Sequence, residues 1–384
     1  MKKFQKFKER MFPFLTKKQQ KEFLNFPLRL YRDCPYFAPP LYMDEKKIFR
    51  KDYVYHDTCE AGYWLAVRDG KTVGRISAIL QKASNRKTGE KRVRFTRFDA
   101  INDEETAHAL FAAVETFARE RGMDTVCGPL GFSDLEREGL LIEGFDELST
   151  FEEQYNYDYY APLIESCGYG KEVDWLERKV YGAAPAEEEE MKKVTEYVMT
   201  RYRLRFGEAA NIKDFIARYA EGFFHLLDVG YDGLYGTVPF TDGMKKMMID
   251  NFKLIIDMKN VAVILNEENR VVCLGICFPS LAKALQKSGG RLTPAALVRV
   301  LRAIRRPKIL DLGLIAVDPA YLNRGVNAIM TSELMRMLRE SDIEYAETNL
   351  CLEDNYAIQN MWKRFRCEQH KRRRSYVKHL EETK

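Results

Sequence analysis

The run from Leu310 to Met330 is the stretch best equipped for chemistry. Apolar residues lead into Asp318-Pro319, a short loop carries one glycine, and an amphipathic pattern starts at Val326. Read as strand, turn and helix, it gathers the backbone N–H groups of Asn323, Arg324, Gly325, Val326, Asn327 and Ala328 at the positive end of a helix dipole. That geometry binds phosphate. Gly325 brings the backbone close to a ligand with no Cβ in the way. A second feature is aromatic. In Tyr155-Asn156-Tyr157-Asp158-Tyr159-Tyr160, the residues Tyr155, Tyr159 and Tyr160 have apolar walls and polar tips. They suit a substrate cleft between two halves of the chain, and they suit ordinary interface packing equally.

Other chemistries find little support. Eight cysteines are scattered without a CxxC pair and the five histidines lie far apart, so no zinc pattern is present. Buried, reduced thiols of a cytoplasmic protein are the expected reading. There is no Ser/His/Asp triad and no GxxxxGK[ST] loop. No apolar run approaches the roughly 18 residues of a membrane span. The basic start, MKKFQKFKER, lacks the cleavage site of a secretory signal and reads as a solvated arm. A net charge of +5 does not by itself indicate nucleic acid. Two local basic stretches remain. One is Lys363–Arg374 with Trp362, Phe365 and Tyr376 interleaved, which invites nucleic acid, an acidic partner or a solvated strand edge. The other is the insert Lys283–Arg306, whose part after Pro294 reads as a basic amphipathic helix. It covers the site, packs on its own domain or lies on a membrane surface.

The elements that position these residues repeat in order. With 384 residues the chain has room for two or three domains. Helix Thr16–Phe26, ended or kinked by Pro27, leads to hairpin Tyr63–Leu80 and strand Val93–Ile101. A helix then runs over Asp103–Arg121 with Asn102 as cap, followed by strand Thr125–Cys127, helix Tyr159–Cys167 and strand Trp175–Val180. Ala183–Glu190 reads as a linker. The second half has strand Tyr202–Phe206, two helices, the hairpin Val261–Phe278, strand Leu310–Val317 and helix Val326–Arg339. Strand Tyr345–Cys351, a helix opened by Asn355 and strand Arg374–His379 complete it. The fold class is therefore α/β (α+β). Residues 1–182 and 191–384 form two similar domains, each a mixed, mostly antiparallel sheet flanked by helices, and one large sheet is the competing arrangement.

The loop resembles that of the GNAT acyltransferases, whose strand ends in Val-x-Pro-x-Tyr before Arg/Gln-x-x-Gly-x-Gly/Ala. Val317, Pro319, Tyr321 and Gly325 match. Leu322 and Asn327 depart from the pattern, and Ala328 sits one position late. Asn355 resembles the start of the family's Asn-x-x-Ala-x-x-x-Tyr helix, with Ile358 and Trp362 in the later positions. RDGKTVGRISA, CGPLGFS and GLLIEGFD in the first half resemble long bacterial tandem GNAT-like proteins. The resemblance implies an acyl-CoA-dependent N-acyltransferase that takes acetyl-CoA or another acyl-CoA. The acceptor would be an amine of a small molecule or peptide. In this reading Ile315 and Val317 hold the pantetheine arm, and the Asn323–Ala328 amides hold the pyrophosphate. Asp311 or Glu347 receives the amine proton, and Tyr356 substitutes for the family's tyrosine, whose position Trp362 occupies. Asp311 pairing with Arg305, Arg306 or Lys308 is the structural alternative. The acidic Asn102-Asp103-Glu104-Glu105 would repel a pyrophosphate, so the first half is not expected to bind coenzyme A through this loop. A non-catalytic ligand-binding protein on the same fold is the rival function.

Overall fold

The computed structural model describes residues 15–150 and 152–381. The expected basic arm falls outside them. The chain divides into two compact units. Unit 1 takes the residues up to Asp174, Leu285–Thr293 and those from Arg372 on; unit 2 takes Trp175–Ala284 and Pro294–Lys371.

Unit 1 opens with α1 (Lys17–Leu30), α2 (Tyr42–Lys47), β1 (Cys59–Arg68), β2 (Lys71–Gln81) and α3 (Lys82–Thr88). Next come β3 (Arg92–Ala100), α4 (Glu104–Arg119), β4 (Thr125–Gly128), β5 (Leu140–Glu143), α5 (Tyr160–Ser166) and β6 (Gly170–Val180). β1, β2 and β3 pair antiparallel, and β3 pairs parallel with β4 over Arg92–Arg94. Pro27 does not end α1. Phe23, Leu24, Phe26 and Pro27 itself are buried, and that burial outweighs one missing hydrogen bond. Asp103, not Asn102, caps α4, because its carboxylate reaches the Thr106 N–H and also pairs with Arg68. The buried Ala107, Leu110, Phe111, Val114, Phe117 and Ala118 recur at helical spacing on one face of α4.

Unit 2 repeats the plan with α6 (Pro185–Arg201), β7 (Arg205–Phe206), α7 (Ile212–Gly230), α8 (Asp242–Phe252), β8 (Val261–Leu265), β9 (Val271–Pro279) and α9 (Ala282–Gln286). α10 (Pro294–Arg305), β10 (Ile309–Val317), α11 (Val326–Glu340), β11 (Tyr345–Thr348), β12 (Cys351–Leu352), α12 (Tyr356–Trp362) and β13 (Cys367–His379) follow. β7 to β10 pair antiparallel in sequence order, and β10 pairs parallel with β11. The segment 183–190 is not a linker. Pro185 starts α6, Glu188 meets Arg339, and Glu187 and Glu190 meet Arg364. Proline at the first helical position followed by acids in the first turn is what a helix start favours.

Two strands belong to both units. The chain leaves unit 1 inside β6, after Asp174, and returns inside β13, after Lys371. From Arg372 on, β13 pairs with β5 and then β4. Its cations have internal partners. Arg372 and Arg374 both reach Asp174, Arg373 donates to the Gln154 carbonyl, and Lys371 is buried among acids. Over Lys371–Arg374 the run is therefore neither a solvated edge nor an open polyanion surface, whereas Lys363, Arg364 and Arg366 are exposed. Sequence reading missed this because Asp174 lies some two hundred positions away along the chain.

Candidate functional site

β10 is bent where the chemistry has to happen. Leu312 faces Cys277 and the next paired residue, Leu314, faces Ile276, so Gly313 is an extra residue. A Cβ at Gly313 would stand 2.1 Å from the Phe278 ring, so glycine is required there. We expect Gly313→Val to lower stability by about 1–3 kcal/mol through overpacking, read as a lower urea midpoint. An unbroken strand would place Asp311, Ile315 and Val317 on one face. The bulge changes this. Ile315 and Val317 pack with Val326, Ile329 and Met330 of α11, whereas Asp311 lies on the face shared with Phe278 and Ile276.

On that face the acids gather. Asp311 of β10 is the register partner of Glu347 of β11, and Glu347 is the register partner of Lys179 of β6. Asp311, Glu347, Glu177 and Lys371 are all buried. The Lys371 ammonium bonds Glu347 and stands 3.6 Å from Glu177, and His370 Nε2 is 3.3 Å from Glu347. Burial alone would raise the pKa of Glu347. The charge of Lys371 outweighs it, aided by His370, and holds the group at about 2. Burial, with the Asp311 charge beside it, pushes the Cys277 thiol up to about 12. The cluster was only half legible. Asp311 and Glu347 were candidates, but Glu177, Lys371 and His370 were not, and only the strand pairing brings them in.

Beyond Leu312 and Thr348 the parallel pairing stops. β12 turns to pair with β6 at Leu176 and Trp175, while Leu314–Val317 continue paired to β9. The strands thus part beside Asp311 and Glu347. The Ile315 carbonyl accepts a hydrogen bond from the Tyr231 hydroxyl at 3.0 Å. At the end of β10 the turn is open. Asn323, Arg324, Gly325 and Asn327 are exposed, and Val326 is buried. Asn323 and Gly325 have φ of 60° and 79°, and a Cβ at Gly325 would come within 2.9 Å of Val198. The Arg324 guanidinium lies 5.5 Å from the Tyr202 ring centre and 5.3 Å from that of Tyr321. The Arg324 N–H already donates to the Tyr321 carbonyl and the Ala328 N–H to the Gly325 carbonyl, which leaves Val326 and Asn327 at the start of α11 as the N–H groups that fit a phosphate.

The remaining candidates lie elsewhere. Asn355 caps α12 by accepting from the Ile358 N–H. α12 packs through Trp362 on Leu310 and Ala346, on the face away from Asp311, and Tyr356 is 73% exposed at its start. Tyr155, Tyr159 and Tyr160 sit within unit 1. The Tyr159 hydroxyl donates to the Ala100 carbonyl, Tyr160 accepts from the Ala100 N–H and meets Tyr31 and Asp99, and Gln154 donates to the Phe98 carbonyl. The edge of β3 beyond its parallel pairing is thus closed by the unit's own side chains. Tyr155 donates to the Phe145 carbonyl and borders a small cavity with Arg75, Asp99 and Arg137. The tyrosines fill unit 1 because their hydroxyls satisfy buried backbone groups there.

No family model matches the chain. It is 28% identical over 381 residues to Protein YghO of Escherichia coli, covering 96% of this chain and 94% of that protein. It is 26% identical over 293 residues to the bacterial ceramide synthase of Caulobacter vibrioides, covering 75% of this chain and 74% of the synthase. Among solved structures, a tandem GNAT protein of the clavulanic acid biosynthesis pathway superposes with a TM-score of 0.52 at 12% identity, over 96% of each chain. In this chain each unit has a parallel strand pair with a helix between its members. The fold of this chain is that of the tandem GNAT acetyltransferases.

Proposed function

We propose that unit 2 is an N-acyltransferase that moves an acyl group from acyl-CoA to the amine of an amphiphilic acceptor. The observation that carries the reading is the buried Asp311–Glu347 carboxylate pair where β10 and β11 part. Amides of Asn323, Gly325, Val326 and Asn327 are the donors for a diphosphate, and the strand backbone around Ile315 and Val317 borders the pantetheine arm. A bound acyl-CoA supplies the thioester carbonyl.

The chain's own residues handle the proton. Glu347 is held ionised by Lys371, so it is a fixed charge and a poor acceptor at neutral pH. Its negative charge beside Asp311 attracts a cationic amine, and Asp311 accepts the proton that the amine must lose before it attacks. Phe278, the register partner of Asp311, lies 4.9 Å from Phe252 between ring centres and offers an apolar wall next to the acid. An acid beside aromatic rings suits an amine with a hydrocarbon chain. The name of the Caulobacter relative supports the same class, since a ceramide is an N-acylated long-chain amine.

A ligand-binding protein without transfer chemistry is the second reading. The Tyr231 hydroxyl on the Ile315 carbonyl favours it, because that carbonyl then has a partner of its own. One experiment separates the two. The full chain is incubated with acyl-CoA of short and long chain length and a long-chain amine, and free thiol is followed alongside calorimetry. Thiol release that requires both substrates is expected. Gly325→Val is expected to weaken acyl-CoA binding by about tenfold or more, since the φ is left-handed and a Cβ there would press on Val198 of α6, so the turn must shift. Heat of binding without thiol release would favour the second reading, and neither signal would remove both.

A further inference from the structure

The segment Lys283–Lys308 carries eight cations and no acid, in a chain whose net charge is only +5. The rest of the protein is therefore net negative. Within the segment, α10 turns a mixed face outward. Leu297 is 45% exposed, Val298 67% and Leu301 44%, while Ala296 and Val300 are buried beneath. At 100° per residue, Leu297, Leu301 and Val298 form one ridge, with Arg305 among them and Arg302 on its flank. Arg306 and Lys308 continue the exposed basic side. Among the described residues, Arg302, Arg305 and Arg306 have no acidic partner. The contrast with β13 is direct, since Arg372 and Arg374 both pair with Asp174 and Arg372 also with Glu143.

Exposed apolar side chains held in a cationic field call for a partner that is both greasy and anionic. We propose that the outer face of α10 docks unit 2 on an anionic lipid bilayer. The helix lies in the plane of the headgroups, with Leu297, Val298 and Leu301 at the acyl boundary and Arg302, Arg305, Arg306 and Lys308 among the phosphates. Nucleic acid satisfies the arginines but gives the apolar ridge nothing to enter. The surface is independent of acyl transfer and stands or falls without it.

Sedimentation of the full chain with vesicles tests the assignment. Vesicles of mixed phosphatidylglycerol and phosphatidylethanolamine are expected to capture the protein. Phosphatidylcholine alone should bind about tenfold less, and added salt should release it. Val298→Glu with Leu301→Glu is expected to lower capture by about tenfold or more, without moving the melting temperature, because both side chains are exposed. Arg302→Gln with Arg305→Gln and Arg306→Gln is expected to lower capture and flatten the salt dependence. Equal binding to both vesicle types, no binding, or capture unchanged by the paired glutamates would overturn the proposal. So would retention of RNA that survives those glutamates, or self-association in sedimentation velocity that they abolish.

Discussion

Asp311→Asn is expected to lower kcat/KM for amine acylation by about 10²–10⁴ at neutral pH, the range for loss of a positioned general base. The fall should appear mostly in kcat, because acyl-CoA binding uses backbone groups at the far end of β10. Raising the pH should restore part of the rate, as the free amine then arrives without its proton. Calorimetry with acyl-CoA should be unchanged. A variant retaining wild-type kcat across the pH range would remove Asp311 from the mechanism. The position of the residue makes the test clean. The carboxylate is buried on the sheet face away from Ile315 and Val317, so amidation should not disturb their packing against α11.

Lys371→Met is expected to destabilise unit 2 by about 3–5 kcal/mol, the usual consequence of removing one member of a buried ion pair. It takes away the ammonium near both Glu347 and Glu177 and leaves two carboxylates in the core. The pH dependence identifies the cause. Glu347 is held at about 2 in the folded protein, against about 4.3 for an ordinary glutamate. Its contribution to stability is present above about pH 4 and is lost as the pH falls towards 2. Without Lys371, only His370 opposes the effect of burial, and the folded pKa rises. The variant should then become relatively more stable on mild acidification, opposite to the wild type. Urea midpoints at neutral pH and near pH 5 read the difference. Parallel curves for the two proteins would show that Lys371 does not control Glu347.

What the sequence made visible follows a physical pattern. The Gly325 turn was legible because Asp-Pro, a glycine and a helical apolar period occur within one short stretch. The repeated order of elements was legible from the sequence alone. The bulge at Gly313 was not, since a glycine in an apolar strand shows its partner register only when β9 is laid beside it. Lys371 was read as one cation in a basic run, because its acids come from β6 and β11. Tyr160 looked like a cleft residue, because nothing local shows that Tyr31, Asp99 and Ala100 surround its hydroxyl. Turns and caps are written locally. Ion pairs and sheet edges are written at long range, and they decide which candidates face one another.

The shared strand β13 bears on how the protein is made. Its residues from Arg372 to His379 complete the sheet of unit 1 against β5 and β4, yet a ribosome adds them only after all of unit 2. The amino-terminal body must therefore wait, with the β4 edge bare, while the rest emerges. A nascent chain in that state offers a strand template to its neighbours on the polysome. Dependence on a holding chaperone during translation, and insolubility of a product stopped before residue 372, are the expected biosynthetic consequences of this arrangement.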